Sequence, residues 1–173
     1  MSTYKQLEGF DQSHIEDMLA DFAKRWLAHD GLWFQAAEKE FDLETAIKLD
    51  TEAWRRFSPL EARRIKKLLN LPEQAGLQGL MKALEFRLYA FINDQTIEQT
   101  AANVVELKMV DCRVQSARLR KKLPAFPCKS VGIVEYTTFA KTIDSRIKTE
   151  CVRCMPDEYD GECFCHWKFT LED

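Results

Sequence analysis

Between residues 93 and 103 the spacing of apolar residues changes from the three-to-four of a helix to the strict two of a strand. That change restricts the chain to helices first and strands later, the pattern of an α+β fold. Ser13 with Glu16 reads as a capping box, followed at helical intervals by Ile15, Met18, Leu19, Phe22 and Trp26. The stripe continues through Trp33 and Ala37 to Phe41, with Gly31 offering a bend. Asp42 then caps a second helix carrying Leu43, Ala46, Ile47, Leu49, Ala53, Trp54 and Phe57. Ser58-Pro59-Leu60-Glu61 places proline one residue after a cap, which predicts the start of a third helix. A fourth is expected over 74–92. Beyond it, Val105, Leu107 and Met109 alternate with Glu106 and Lys108, a half-buried strand that pairs with 95–99. A helix over 128–143 and strands over 146–153 and 162–171, joined by a turn over 155–161, complete the chain. The expected architecture is a helical N-terminal half packed on a C-terminal antiparallel sheet with one further helix.

At 173 residues the chain suits a single domain, with 1–93 its helical part and 94–173 its α+β, metal-binding part. A net charge of −3 supplies no general attraction for nucleic acid or for an anionic membrane. No run of about 18 apolar residues is present, and the first ten residues lack an apolar signal core. A soluble, cytoplasmic protein is expected, and assembly as a homodimer stays open.

Cysteine then narrows the chemistry. Five of the six cysteines fall in 128–173, with the spacing C-x22-C-x2-C-x8-C-x-C-H. Disulfides are improbable in the cytosol, where such crowding more often serves metal binding. Cys151 and Cys154 end one strand, while Cys163 and Cys165 share a face of the next with Trp167, Phe169 and Leu171. A hairpin sets the two pairs opposite one another, and Cys128 closes the site from the start of a helix. Four thiolates suit zinc in a closed, structural site. An iron–sulfur cluster, also a four-cysteine group, is the less favoured choice. His166 alternates to the opposite face and is read as a surface or supporting histidine.

The stretch from Cys128-Lys-Ser-Val-Gly-Ile-Val-Glu-Tyr through Cys151-Val-Arg-Cys154 to Gly161-Glu-Cys-Phe-Cys165-His-Trp167 resembles the 4-vinyl reductase, or predicted hydrocarbon-binding, domain family. The resemblance implies zinc held by Cys128, Cys151, Cys154 and Cys165, beside an apolar pocket for small hydrophobic molecules. Cys151 stands where that family often has a glutamate, which makes the set all-thiolate, and Cys163 is an alternate to Cys165. The whole chain also resembles an uncharacterised family of small prokaryotic cytosolic proteins, through AHDGLWF, AWRRF and MVDCRVQSAR. That second resemblance implies no activity.

Three further groups draw attention. His29 and Asp30 interrupt the stripe between Trp26 and Trp33, so they either contact a ligand with Trp33 or mark a helix boundary. The face of Val105, Leu107 and Met109 extends by alternation to Asp111, Arg113 and Gln115. There, inward polar groups form either an ion pair or a specificity element, and Arg113 suits a ligand carboxylate. Cys112 is read as plain core or surface. Arg118, Arg120, Lys121 and Lys122 make a basic run best explained as a solvated helix face.

The function these features favour is a zinc-containing, small-molecule-binding or sensory protein, with the zinc structural and the pocket aromatic. Its partner would be a small hydrophobic or carboxylate-bearing molecule, with no nucleic acid and no membrane. Two alternatives stand beside it. One is a small cytosolic, metal-associated hydrolase similar to the aminothiazoline-carboxylate hydrolases, using Arg113 with Asp111 or His29. The other is a protein-interaction module.

Overall fold

Two aspartates start the two long helices. Asp11 and Asp42 hold extended backbones and accept hydrogen bonds from the amides of His14 and Thr45, at 3.0 and 2.6 Å. These amides are among the donors a first helical turn leaves without a partner. From the caps run α1 (Gln12–Glu40) and α2 (Leu43–Leu68). A computed structural model of the chain describes residues 4–159 and 161–173. Residues 1–3 of the amino-terminal stretch and Asp160 of the expected turn lie outside the described residues.

The local signals for helix boundaries hold at Asp42 and fail at Ser13, Gly31 and Ser58-Pro59. Ser13 does not cap α1. Its hydroxyl donates to Asp11 at 2.8 Å, and Glu16 accepts instead from the Gln12 side chain. Neither Gly31 nor the His29-Asp30 pair breaks the helix, and the Gly31 carbonyl accepts from Gln35 Nε2 at 2.9 Å. A glycine costs a helix only about 1 kcal/mol against alanine. Ser58-Pro59 does not begin a new helix either, because α2 passes straight through Pro59. Its buried face, Trp54, Ser58, Glu61, Ala62 and Ile65, is continuous across the proline. Packing that whole face outweighs the roughly 3 kcal/mol cost of an interior proline.

In place of one long fourth helix, α3 (Gly76–Leu84) is followed by a short 3-10 turn over Leu88–Phe91. Between them Arg87 adopts an extended backbone and turns inward, where it is 2% exposed. Its two carboxylate partners lie on other helices, a tertiary demand that helical periodicity does not carry.

The four strands are β1 (Asp94–Ala101), β2 (Val104–Asp111), β3 (Ile147–Cys154) and β4 (Cys165–Leu171), antiparallel throughout in the order β1-β2-β4-β3. Val105, Leu107 and Met109 are buried, as their alternation requires. The alternation stops at Asp111. Cys112 opens α4 (Arg113–Arg120), so Arg113 and Gln115 sit on a helix rather than on the strand face. β4 begins at Cys165, which leaves Cys163 in the preceding loop.

The last helix, α5 (Lys129–Ile143), packs against both α2 and β3. Leu80, Leu84, Leu107, Phe139, Ile143, Trp167 and Phe169 form the centre of the core between helices and sheet. Burial of this apolar surface is the main favourable term for the fold. The arrangement is α+β. α1 packs on α2 and on the 3-10 turn, yet Ala23 is the buried residue of its 29, and Ile15, Leu19 and Phe22 of the expected apolar stripe are exposed. Among the described residues no helix is long and apolar enough to cross a membrane.

Candidate functional site

A cavity of about 400 Å³ lies among α1, α2, α4, α5 and the inner face of the sheet. Pockets of this size, mostly apolar with a few converging polar groups, are the usual form of a small-molecule site. Three sets of residues give this one its chemistry: thiols, carboxylates and aromatic rings.

A strand irregularity assembles the thiols. In β3 and β4, Cys151 lies opposite Trp167 and Cys154 opposite Cys165, with a register shift between Cys151 and Arg153. In a regular strand, residues three apart point to opposite faces. Val152 has no partner in the register, and this extra residue returns both cysteines to the face of Trp167 and Cys165. Cys128 stands at the start of α5, with its sulfur 3.5 Å from that of Cys154 and 3.6 Å from Gln115 Nε2. The hydrogen bond from Cys154 lowers the Cys128 thiol, and bonds to Cys128 and Cys165 hold the Cys154 thiol high. Burial pushes Cys151 up to about 11 and Cys112 up to about 12. Cys163 is buried elsewhere, against Arg153, whose Nη2 lies 2.7 Å from its carbonyl oxygen and 3.0 Å from its sulfur.

The donor type fits zinc. Four thiolates about 2.3 Å from a zinc ion lie roughly 3.8 Å from one another, and Cys128 to Cys154 approaches one such edge. The complete set is not closed, however. Among the described residues no group of three or more His, Cys, Asp or Glu side chains is arranged to hold a metal ion. His166 lies on the outer face, with Nε2 2.8 Å from Glu106 Oε2.

The carboxylates come from three helices: Asp30 on α1, Asp50 on α2 and Glu135 on α5, all lining the cavity. Burial, then the charges of Asp30 and Glu135, push Asp50 up to about 7. Burial raises Asp30, and it raises Glu135 against the opposing pull of Arg87. The Arg87 guanidinium is ion-paired on both sides, 3.0 Å from Glu61 and 2.6 Å from Glu135. It also lies within 6 Å of the ring centres of Trp54, Tyr89, Tyr136 and Phe139. Asp30 and Asp50 have no such cation, and no ion pair reaches either among the described residues.

Aromatic rings make the walls. Trp54 stacks on Tyr89 with centres 5.7 Å apart, and Trp26 meets both edge-on. Tyr136 stacks on Trp167 at 4.6 Å. Gln115 is 1% exposed and bonds both ways to the Phe126 backbone, which ties α4 to the loop before α5.

Of the residues expected from sequence to contact a ligand, Asp30, Arg113 and Gln115 line the cavity, together with Cys128, Cys154 and Cys165. His29 is exposed and Trp33 is 69% exposed; neither lines it. The Asp111 carboxylate accepts from Ser116 at the start of α4 and also lies outside. Cys151 packs against the core beside the cavity. Asp50, Glu135, Trp54, Tyr89 and Tyr136, together with Cys112, were not anticipated there. A signal existed for the first two. Ala46, Asp50, Trp54 and Ser58 follow at four-residue intervals, as do Val131 and Glu135, so each acid lies on a buried helix face.

Fold and cavity together define an α+β protein with a mixed aromatic, acidic and thiol-bearing pocket. The model of a family of unknown function, DUF6125, matches residues 8–171, and the chain belongs to that family. This agrees with the uncharacterised family its sequence resembles. No curated protein matches the chain.

Proposed function

We propose that the protein binds a small molecule in the cavity between its helices and sheet, as a carrier or sensor. The observation that carries this reading is a ligand-sized cavity whose aromatic walls meet Arg113, Gln115 and three carboxylates. The ligand's apolar body would lie among Trp54, Tyr89 and Tyr136, with Arg113 able to hold a carboxylate. The sequence resemblance of the stretch 128–167 to 4-vinyl reductase domains implies the same use of the cavity. In this reading zinc is structural, held by Cys128, Cys154, Cys165 and Cys151 once their side chains rotate towards a common point. Bound there, zinc would fix the start of α5 to the β3–β4 hairpin.

Native mass spectrometry of anaerobically purified protein tests both parts. One zinc per chain and a further small-molecule mass are expected; a bare chain mass speaks against both. A hydrolase is the second reading, favoured by Asp50, whose carboxyl, pushed up to about 7, exchanges protons near neutral pH. Turnover that disappears in Asp50→Asn while affinity survives would select it.

A further inference from the structure

Asp30 and Asp50 are the unusual members of the cavity wall. Each is half-buried on its helix, and each is pushed up by burial. The third acid, Glu135, has its cation in Arg87, which it shares with Glu61. One guanidinium between two carboxylates leaves that group with a net negative charge as well. The basic residues of the cavity stand mostly at its edge or are already engaged. Lys24 and Lys121 are exposed, Lys121 reaches Gln35 Oε1 at 2.9 Å, and Arg118 is bound to Glu38 at 2.9 and 3.0 Å. Arg113, on α4, is the remaining cation of the wall.

Trp54 and Tyr89 stand in the same wall, stacked on one another. Aromatic faces with nearby carboxylates recognise organic cations, through the ring quadrupole and the opposite charge. Arg87, among four rings and two carboxylates, shows the same combination within the protein. A small metal cation fits less well, since the carboxylates come from three separate helices and are not arranged as a metal site. A ligand that was purely anionic would face both Asp30 and Asp50, with Arg113 the remaining cation to offset them.

We infer that the ligand of this cavity carries a protonated amine or other organic cation, which pairs with Asp30 and Asp50 against the faces of Trp54 and Tyr89. The inference rests on the proposed binding function and specifies the chemical class of its ligand. Arg113 permits a carboxylate elsewhere on the same molecule. Binding of the cation also draws Asp50 into its ionised form, so the uptake of ligand releases a proton near neutral pH.

Three probes of similar size, 2-phenylethylamine, 2-phenylethanol and 3-phenylpropionate, separate the possibilities. Their binding is followed by tryptophan emission, since Trp54 lies in the cavity wall, and by calorimetry in two buffers of different ionisation enthalpy. The amine is expected to bind at least about tenfold more tightly than either competitor. Its calorimetric heat should reveal proton release. Asp50→Asn and Asp30→Asn should each lower the affinity for the amine and remove its preference over phenylethanol. Both variants keep the side-chain shape, and a cooperative melting transition confirms that they fold. Equal binding of the three probes, or preference for the carboxylate, overturns the inference and leaves the binding function standing. No saturable binding of any probe overturns both.

Discussion

Gly132 on α5 and Trp167 on β4 approach so closely that a Cβ on the glycine would lie 2.7 Å from Trp167 Cζ2. Trp167 is 1% exposed and stacked on Tyr136, so its ring has no room to yield. Gly132→Ala should therefore lower stability by about 1–3 kcal/mol despite alanine's better helix propensity. Chemical denaturation followed by circular dichroism measures the change. A neutral or stabilising effect would mean that the helix and strand separate easily.

Arg87 joins α2, α5 and the 3-10 turn through two buried ion pairs and four rings. Arg87→Met preserves much of the side chain's length but leaves Glu61 and Glu135 facing each other without a cation. Removing one partner from a buried charge group costs about 3–5 kcal/mol. Denaturation midpoints should show a loss of that size at neutral pH. The loss should shrink in acid, because Glu135, already raised by burial, then takes up a proton.

The pH dependence of stability has opposite contributions from two aspartates. Asp50, raised to about 7 in the folded chain, keeps a proton that the unfolded chain releases near its ordinary value. Its contribution to stability falls as pH rises through the window between that ordinary value and about 7, then levels off. Asp144 is lowered to about 2, chiefly by the hydrogen bonds it accepts from Arg146, so its contribution is present at neutral pH and lost as acid protonates it. Melting temperatures across pH should show both limbs. Asp50→Asn should lessen the upper one and raise stability at about pH 8, whereas Asp144→Asn should lessen the acid limb and leave the upper one.

Metal content separates the cysteines. If zinc joins the start of α5 to the hairpin, Cys128→Ser and Cys154→Ser should each lose it, while Cys163→Ser retains it. Cys163 is held by Arg153, away from the Cys128–Cys154 pair. Elemental analysis of the three variants provides the readout, and loss of zinc from Cys163→Ser would reverse the assignment of ligands.

What the sequence carried well was short-range. The Asp42 cap, the alternation of Val105, Leu107 and Met109, and the helix opened by Cys128 depend on residues within a turn or a strand of one another. The misread boundaries depend on distant partners. Pro59 stays within α2 because the face on both sides of it packs as one surface, and the helix after Leu84 breaks because Arg87 must reach Glu61 and Glu135. The common face of Cys151 and Cys154 needed the unpaired Val152, which simple alternation does not foresee. In the cavity, Asp30, Arg113 and Gln115 were legible as polar residues interrupting apolar patterns. Asp50 and Glu135 carried the same signal, but only the angular position of each on its helix brought them to the cavity. Arg113 and Gln115 reached it from a helix, although strand alternation had pointed to them.

Ala117 lines the cavity from α4, and Ala117→Phe would fill part of the space a ligand needs. Ligand-observed NMR with a library of small aromatic fragments, run on the native protein and on this variant, tests the binding function directly. A binding cavity predicts fragments that bind the native protein and lose their signal in Ala117→Phe at an unchanged melting temperature. Fragments that bind the filled variant equally well, or none that binds the native protein, would contradict it.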